Sequence, residues 1–267
     1  MKKKPLVSII MNCHNGEQYL KKSIESVINQ SYKNWELIFW NNNSKDTSKK
    51  ILFSFKDKRI KYFEKSKTST LYKARNFAIS EAKGGLICFL DTDDWWVKNK
   101  LKKQVECFEK DKNLNFLYSN YYYYNQNLKQ RKLASIKILP KGKITQDLLN
   151  EYMICILTVM IKKSLFKKKK FNNNYSIIGD FDFFLNQSLS QEILSLQTPL
   201  AYYRQHSKNY SKIKLSLYNK ELKLWFKLNK TRYENLKYSL LKIRILYLKN
   251  EVKKIFSFFK SFSFSGV

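Results

Sequence analysis

Apolar runs and amphipathic segments alternate along the first 125 residues. "LVSIIMN" at Leu6–Asn12 and "WELIFW" at Trp35–Trp40 are short apolar runs of the kind that form buried strands. Between them, "EQYLKKSIESVINQ" places Leu20, Ile24 and Val27 at helical spacing. A strand, a helix and a second strand in this order predict an α/β domain with a mostly parallel sheet.

The same alternation continues as far as Tyr124. It predicts strands at Arg59–Glu64, Gly85–Asp91 and Asn115–Tyr124, and helices at Thr70–Ala82 and Val97–Lys110. The polar clusters "HN", "NNNS" and "DTDD" each follow a predicted strand. Because the carboxyl ends of parallel strands meet at one edge of a sheet, we expect these clusters to share a ligand-binding rim.

The pattern changes near Ser211. Residues 212–260 hold 14 Lys and Arg against 3 Asp and Glu, with apolar residues interleaved at helical spacing. We therefore expect two domains, 1–211 and a basic amphipathic helical extension at 212–267. Such an extension suits an anionic membrane surface, and it equally suits a helical pair packed on the first domain with its charges in water.

Charge and composition narrow the function classes only partly. The net charge of +31 is compatible with nucleic acid, an anionic membrane or a phosphorylated substrate, and also with a general bias towards Lys and Asn. Four scattered cysteines indicate free thiols in a reducing compartment. The N-terminal apolar stretch is too short for a signal peptide, and no apolar run approaches the ~20 residues of a membrane span. We expect a cytoplasmic protein, peripheral to the membrane at most.

Three carboxylates crowd the end of the strand that reads "FLDTDD". Asp91, Asp93 and Asp94 would repel one another unless a cation neutralises them. Oxygen ligands suit Mg²⁺ or Mn²⁺, whose remaining positions are filled by water and substrate phosphates. A helix-capping role explains one aspartate but not three.

A second acidic pair and two histidines are further candidates. Asp180 and Asp182 lie among apolar residues in "IIGDFDFFLN", where a carboxylate could act as a general base or cap a helix. His14 and His206 lie in polar contexts, but a lone histidine is more often structural than a ligand.

Together these stretches resemble the inverting nucleotide-sugar glycosyltransferases of family 2, which have the GT-A fold. The matching blocks are "PLVSIIMNCHNGEQYLKKSIESVINQSYKNWELIFWNNNSKDTS", "KARNFAISEAKGGLICFLDTDDWW", "TVMIKKSLF", "IIGDFDFFL" and "YYRQHSKNYS". They follow the family order over residues 5–211. The resemblance implies a GT-A type, Rossmann-like, mostly parallel sheet flanked by helices, followed by the C-terminal helical extension.

The resemblance also implies a donor-binding set. Asn12 and His14 take the positions that contact the nucleobase, and Arg75 would approach the base or the diphosphate. Asn41 and Asn42 stand where the family usually carries an aspartate that reads uracil. An amide oxygen can accept from a uracil N–H, but an amide can also donate. A uridine diphospho-sugar is therefore expected, with thymidine and cytidine donors left open.

The same resemblance implies the metal and catalytic residues. Asp91 would lie near the ribose, and Asp93 or Asp94 would ligate Mn²⁺ or Mg²⁺. Asp93 therefore belongs to both the donor-binding and the metal set. His206 would lie near the metal or the diphosphate, and Asp180 matches the segment that carries the catalytic base.

The implied activity is metal-dependent, inverting transfer of a sugar to a hydroxyl of a glycan or glycolipid acceptor in bacterial surface polysaccharide or lipopolysaccharide synthesis. Its partners would be the nucleotide sugar, the acceptor and an anionic membrane surface, and no nucleic acid.

Two alternatives stay open. "DTDDW" also resembles the nucleophile motif of haloacid-dehalogenase-like phosphatases, with Asp91 as nucleophile, although Trp95 stands where those enzymes carry Thr or Val. The charge alone would also suit a basic nucleic-acid-binding module.

Overall fold

A computed structural model describes residues 4–207, 209 and 213–250 of the chain. The helices for which both ends are described are α1 (Glu17–Ile28), α2 (Ser48–Ser54), α3 (Leu71–Glu81), α4 (Lys100–Lys110), α5 (Thr145–Asn150), α6 (Ser164–Lys168), α7 (Gly179–Ser188) and α8 (Leu215–Asn235). The strands described are β1 (Val7–Cys13), β2 (Trp35–Asn41), β3 (Ile60–Glu64), β4 (Leu86–Phe89), β5 (Trp95–Trp96), β6 (Phe116–Asn125), β7 (Gln130–Leu133), β8 (Met160–Lys162) and β9 (Ile193–Gln205).

Within the described residues, the nine strands form one sheet. Their order is β3-β2-β1-β4-β8-β6-β9-β5, and β7 pairs with β6 as a hairpin. The first four strands in this order are parallel, and β6 and β9 are parallel to each other. Antiparallel β8 joins the two parallel groups. This mixed, mostly parallel sheet confirms the predicted α/β class.

The central strands lie where their sequences predict. Every residue of β1 and β2 is buried, because helices cover both faces of a parallel sheet, and both runs are accordingly mostly apolar. At the opposite end from the polar clusters, Gly84 allows β1 and β4 to approach. A Cβ on Gly84 would lie 2.5 Å from the carbonyl oxygen of Leu6.

The C-terminal half of the sheet contains pairings that local patterns did not reveal. Trp95 and Trp96 form β5, which pairs with Tyr202 and Ala201 of β9. The Trp95 ring stacks on that of Tyr202 at 4.7 Å, and the Trp96 indole donates to the carbonyl of Leu157. Both tryptophans are buried, so both are used in packing.

The chain divides into two compact units, residues 1–144 with 154–206, and residues 145–153 with 207–267. The first unit holds the sheet. The second holds α5, α8 and a further helical stretch at residues 241–250. The predicted boundary at 211/212 stays a prediction.

The predicted helical periodicity after residue 212 is confirmed in α8. Leu222 and Trp225 are buried, whereas Leu224 and Leu228 are exposed among lysines. The apolar end of the tail, residues 251–267, lies outside the described residues. Among the helices described, none has both the length and the apolar character that crossing a bilayer requires.

Candidate active site

The "DTDD" segment follows β4 and is held by the first helix. The hydroxyl of Ser23 on α1 donates to the carbonyl of Thr92 at 2.8 Å and also contacts the carbonyl of Asp94. Gly16, just before α1, leaves room for this loop, because a Cβ there would lie 2.8 Å from the Thr92 hydroxyl. The Ser23 side chain on α1 and the absence of a side chain at Gly16 therefore help to determine where the aspartates lie.

Asp91 pairs with a buried arginine. Arg75 on α3 is 2% exposed, and one of its terminal nitrogens donates to Asp91 Oδ1 at 2.7 Å. Burial by itself lowers the pKa of Arg75, but the neighbouring charges, chiefly that of Asp91, outweigh it and raise that pKa. The pair confirms only that Arg75 and the strand-end acids lie together; their roles towards a ligand stay predictions.

Asp93 and His206 lie side by side. Asp93 Oδ2 is 3.0 Å from His206 Nε2, and the two side chains are 29% and 10% exposed. The His206 ring also lies 4.9 Å from that of Tyr19 on α1. The structure thus brings the two predicted ligands together from positions 113 residues apart.

The carboxylate of Asp94 binds a different partner from that of Asp93. Its carboxylate is buried and accepts a hydrogen bond of 2.7 Å from the backbone N–H of Arg204 in β9. Burial, together with the charges of Asp93 and Asp91, raises the pKa of Asp94 well above its ordinary value. Arg204 also donates from Nε to the carbonyl of Asp93. Asp94 therefore connects the acidic loop to β9 through this hydrogen bond. Its role as a metal ligand stays a prediction.

The first two strand ends also lie together. His14 is exposed, and its Nδ1 is 2.9 Å from the carbonyl oxygen of Asn42. The Asn42 amide binds the backbone of Ser69 on both sides, accepting from its N–H and donating to its C=O. Asn12 is buried, and among the described residues neither atom of its amide has a hydrogen-bond partner. A buried, unsatisfied amide is costly, and a ligand that pairs with it would remove the cost.

Asp180 lies within the first turn of α7, whose N-cap is Ile178, so it is not the capping residue, and its role as a general base stays a prediction. Its Oδ1 is 2.6 Å from the hydroxyl of Tyr72, which is also 2.9 Å from the carbonyl oxygen of Ile177. Burial, followed by the charge of Asp180, raises the pKa of Tyr72 well above its ordinary value, so its hydroxyl keeps its proton. Tyr72 can stay against the start of α7 because residue 179 is glycine.

Sequence reasoning missed two residues of this site. Tyr72 lies three positions before Arg75, on the same face of α3, and that spacing is the signal that could have found it. Cys155 is the other. Burial, followed by the charges of Asp94, Asp180 and Asp91, raises the pKa of its thiol well above the ordinary value.

The donor set can be tested against a divalent metal. Among the described residues, no group of three His, Cys, Asp or Glu side chains is arranged to hold a metal ion. Asp93 and His206 supply one carboxylate and one imidazole at adjacent positions, with Asp93 partly exposed. Mg²⁺ and Mn²⁺ sites in nucleotide enzymes commonly use few protein ligands and complete their shell with water and phosphate oxygens. The residues present fit that pattern.

Comparison with known proteins identifies the class. The profile of Glycosyl transferase family 2 matches residues 8–179. The chain is 36% identical over 160 residues to an Escherichia coli protein named UDP-Glc:alpha-D-GlcNAc-diphosphoundecaprenol beta-1,3-glucosyltransferase WfgD, a match that covers 60% of this chain and 61% of that protein. The chain belongs to glycosyl transferase family 2.

Solved structures show the same fold. Staphylococcus aureus TarS 1–349 in complex with UDP-GlcNAc superposes with a TM-score of 0.68 at 17% identity, over 82% of this chain and 66% of that one. The mannosyltransferase PcManGT from Pyrobaculum calidifontis, in complex with GDP-Man and Mn²⁺, superposes with a TM-score of 0.63 at 11% identity, over 86% of this chain and 65% of that one. The expected GT-A type fold is thereby confirmed, and family membership favours the transferase over the phosphatase and the nucleic-acid-binding module.

Proposed function

We propose that this chain transfers a sugar, with inversion, from a nucleoside diphosphate sugar to a hydroxyl of a glycan or lipid-linked glycan in surface polysaccharide synthesis. One observation carries the proposal. Helix α3 contacts both acidic groups of the site, through Arg75 to Asp91 and through Tyr72 to Asp180. A single rigid helix thus fixes the distance between the proposed leaving-group side and the proposed base, as a two-substrate reaction requires.

The donor would bind along the carboxyl ends of β1 and β4. Asn12 offers an unpaired amide for the edge of a base, and the exposed His14 ring offers a surface for stacking. Arg75 keeps its positive charge beside Asp91, close to where a diphosphate would carry its negative charge. Uridine is the first candidate base, because the E. coli relative is named for UDP-Glc and TarS was solved with UDP-GlcNAc.

Asp93 and His206 would hold the divalent metal, with Asp94 as the third predicted ligand. When bound, Mn²⁺ or Mg²⁺ would supply positive charge to the departing diphosphate. The neighbouring protein groups act in the same direction, because Arg75 and Arg204 place two guanidinium groups against the acidic loop. The PcManGT complex with Mn²⁺ supports a metal in this fold.

Asp180 would be the general base. It would take the proton of the acceptor hydroxyl while that oxygen bonds to the anomeric carbon and the bond from that carbon to the diphosphate breaks. Attack from the face opposite the leaving group inverts the anomeric configuration. The Tyr72 hydroxyl would orient the Asp180 carboxylate towards the acceptor.

The proposed acceptor is a lipid-linked glycan. The E. coli relative is named for a diphosphoundecaprenol acceptor. We propose that residues 212–267 form the basic helical extension, suited to a membrane surface where such an acceptor is found. Exposed leucines among the lysines of α8 support this role.

The deciding experiment is a panel of UDP-, dTDP-, CDP- and GDP-sugars with Mn²⁺, assayed for nucleotide release with and without diphosphate-lipid-linked acceptors. We expect one UDP-sugar to be turned over with product of inverted configuration, and Asp180→Asn to abolish transfer while donor binding persists. Turnover to inorganic phosphate without a sugar acceptor would contradict the proposal. Near-normal transfer by Asp180→Asn would remove that residue from the base role.

A further inference from the structure

Two isoleucines after the β6–β7 hairpin project almost completely into solvent. Ile136 is 89% exposed and Ile138 is 86% exposed, with the exposed Lys137 between them. Single exposed apolar residues are common on protein surfaces and need no explanation. Two β-branched aliphatic side chains that are two residues apart and almost fully exposed to water form a small apolar patch.

The chain on either side of this patch is hydrogen-bonded to strands of the sheet. Asn120 of β6 binds Ser135 twice, donating to its carbonyl at 2.8 Å and accepting from its N–H at 3.3 Å. At the other end, the N–H of Leu139 donates to Gln197 at 2.8 Å, and its carbonyl accepts from Ser195 at 2.9 Å. These hydrogen bonds fix the chain on both sides of the two isoleucines, whose side chains extend into solvent.

The surrounding surface is strongly basic. Residues 126–143, which we name the basic apolar rim, contain six Lys and Arg and no Asp or Glu. All six are exposed: Lys129, Arg131, Lys132, Lys137, Lys141 and Lys143. Glu192 lies next in sequence to Ile193, which forms an antiparallel bridge with Gly142. Leu128, at the tip of the hairpin, adds a further exposed apolar side chain.

We propose that the basic apolar rim docks the protein on an anionic lipid bilayer, with Ile136 and Ile138 entering the interface and the basic side chains contacting the headgroups. Anionic bilayers combine the two chemistries that the rim presents, because aliphatic side chains partition into the headgroup boundary while lysines are attracted to the surface charge. Nucleic acid would match the charge but leave the isoleucines in water. A symmetric contact with a second copy would bring like charges together. The proposal does not depend on sugar transfer.

The test is co-sedimentation of the full chain with vesicles of phosphatidylcholine alone or with about 30% phosphatidylglycerol, without donor or acceptor. We expect binding to the anionic vesicles only, and a decrease of at least about tenfold in the partition coefficient for the double variant Ile136→Ser/Ile138→Ser. Both side chains are exposed, so thermal unfolding should be unchanged. The matched control is Phe53→Ser, another exposed apolar residue, on α2 beside β3 at the opposite edge of the sheet.

Three results would overturn the inference. One is wild-type protein that stays in solution with anionic vesicles. Another is a double variant that binds as tightly as the Phe53→Ser control. The third is a double variant that changes the molar mass in light scattering and leaves vesicle binding intact, because that result assigns the rim to contact with a second copy.

Discussion

Gly179 tests the proposed arrangement of Tyr72 and Asp180 most directly. A Cβ added at Gly179 would lie 2.4 Å from Cδ2, 2.5 Å from Cγ and 2.7 Å from Cε2 of the Tyr72 ring. These atoms belong to the rigid ring of a residue that is 2% exposed, so the ring cannot move aside freely. Gly179→Ala must therefore displace either the start of α7 or the ring, and each carries one partner of the Tyr72–Asp180 hydrogen bond.

The magnitude follows from the cost of overpacking a buried site, about 1–3 kcal/mol. For a chain of this size, each kcal/mol lowers Tm by about 2–4 °C, so a cost near 2 kcal/mol predicts a decrease of about 4–8 °C. Activity should fall further than stability explains. Misplacing a catalytic group by about 1 Å can cost about a hundredfold in rate, so we expect kcat to fall by about tenfold to a hundredfold.

Two other glycines provide matched controls for the assay, which combines thermal unfolding with steady-state transfer kinetics. Nothing lies within 4 Å of a Cβ at Gly85, so Gly85→Ala should change neither Tm nor kcat. At Gly84 a Cβ would lie 2.5 Å from the Leu6 carbonyl, at the end of the sheet away from the site. Gly84→Ala should therefore lower Tm and leave kcat at a temperature below unfolding nearly unchanged.

Equal Tm and kcat values for Gly179→Ala and Gly85→Ala would contradict this arrangement, because the clash would then be absorbed without cost. If Gly179→Ala instead lowers Tm and leaves kcat intact, as expected for Gly84→Ala, Asp180 does not need its position against Tyr72.

Three further predictions concern single side chains. Tyr72→Phe removes the hydroxyl 2.6 Å from Asp180, so kcat should fall about tenfold with the donor KM nearly constant; a change in KM alone would contradict a positioning role. Asp93→Ala and chelation by EDTA should each abolish transfer without unfolding the protein, as followed by circular dichroism, and full activity in EDTA would exclude an exchangeable metal. Burial lowers the pKa of Lys100 from 10.5, so the unfolded chain binds more protons than the folded chain below that pH, and the stability of wild type relative to Lys100→Met should rise in urea unfolding as the pH approaches 10.5 from below. A difference that stays constant with pH would contradict this last prediction.

Hydrophobic patterning predicted the first half of the sheet because β1, β2 and β4 are buried on both faces and read as largely apolar runs, whereas β3 is only partly buried. β1 and β2 lie within a residue or two of their predicted bounds. The polar clusters after these strands followed from the parallel arrangement, and Arg75 and Asp91 do lie in contact. Periodicity also predicted α8, since local spacing alone is enough to identify an amphipathic helix.

Tertiary structure decided what depends on contacts between distant segments. The sequence does not distinguish the environments of Asp91, Asp93 and Asp94. In the structure, Arg75 pairs with Asp91 and His206 with Asp93, whereas Asp94 accepts a hydrogen bond from the backbone of β9.

Tyr72 likewise reaches Asp180 across 108 residues of sequence. Local patterns were enough to predict the order of the main elements as far as Asn125 and the polar chemistry at the ends of the first strands. Only folding determined which carboxylate is buried and which is partly exposed, because burial depends on packing between segments that no local pattern relates.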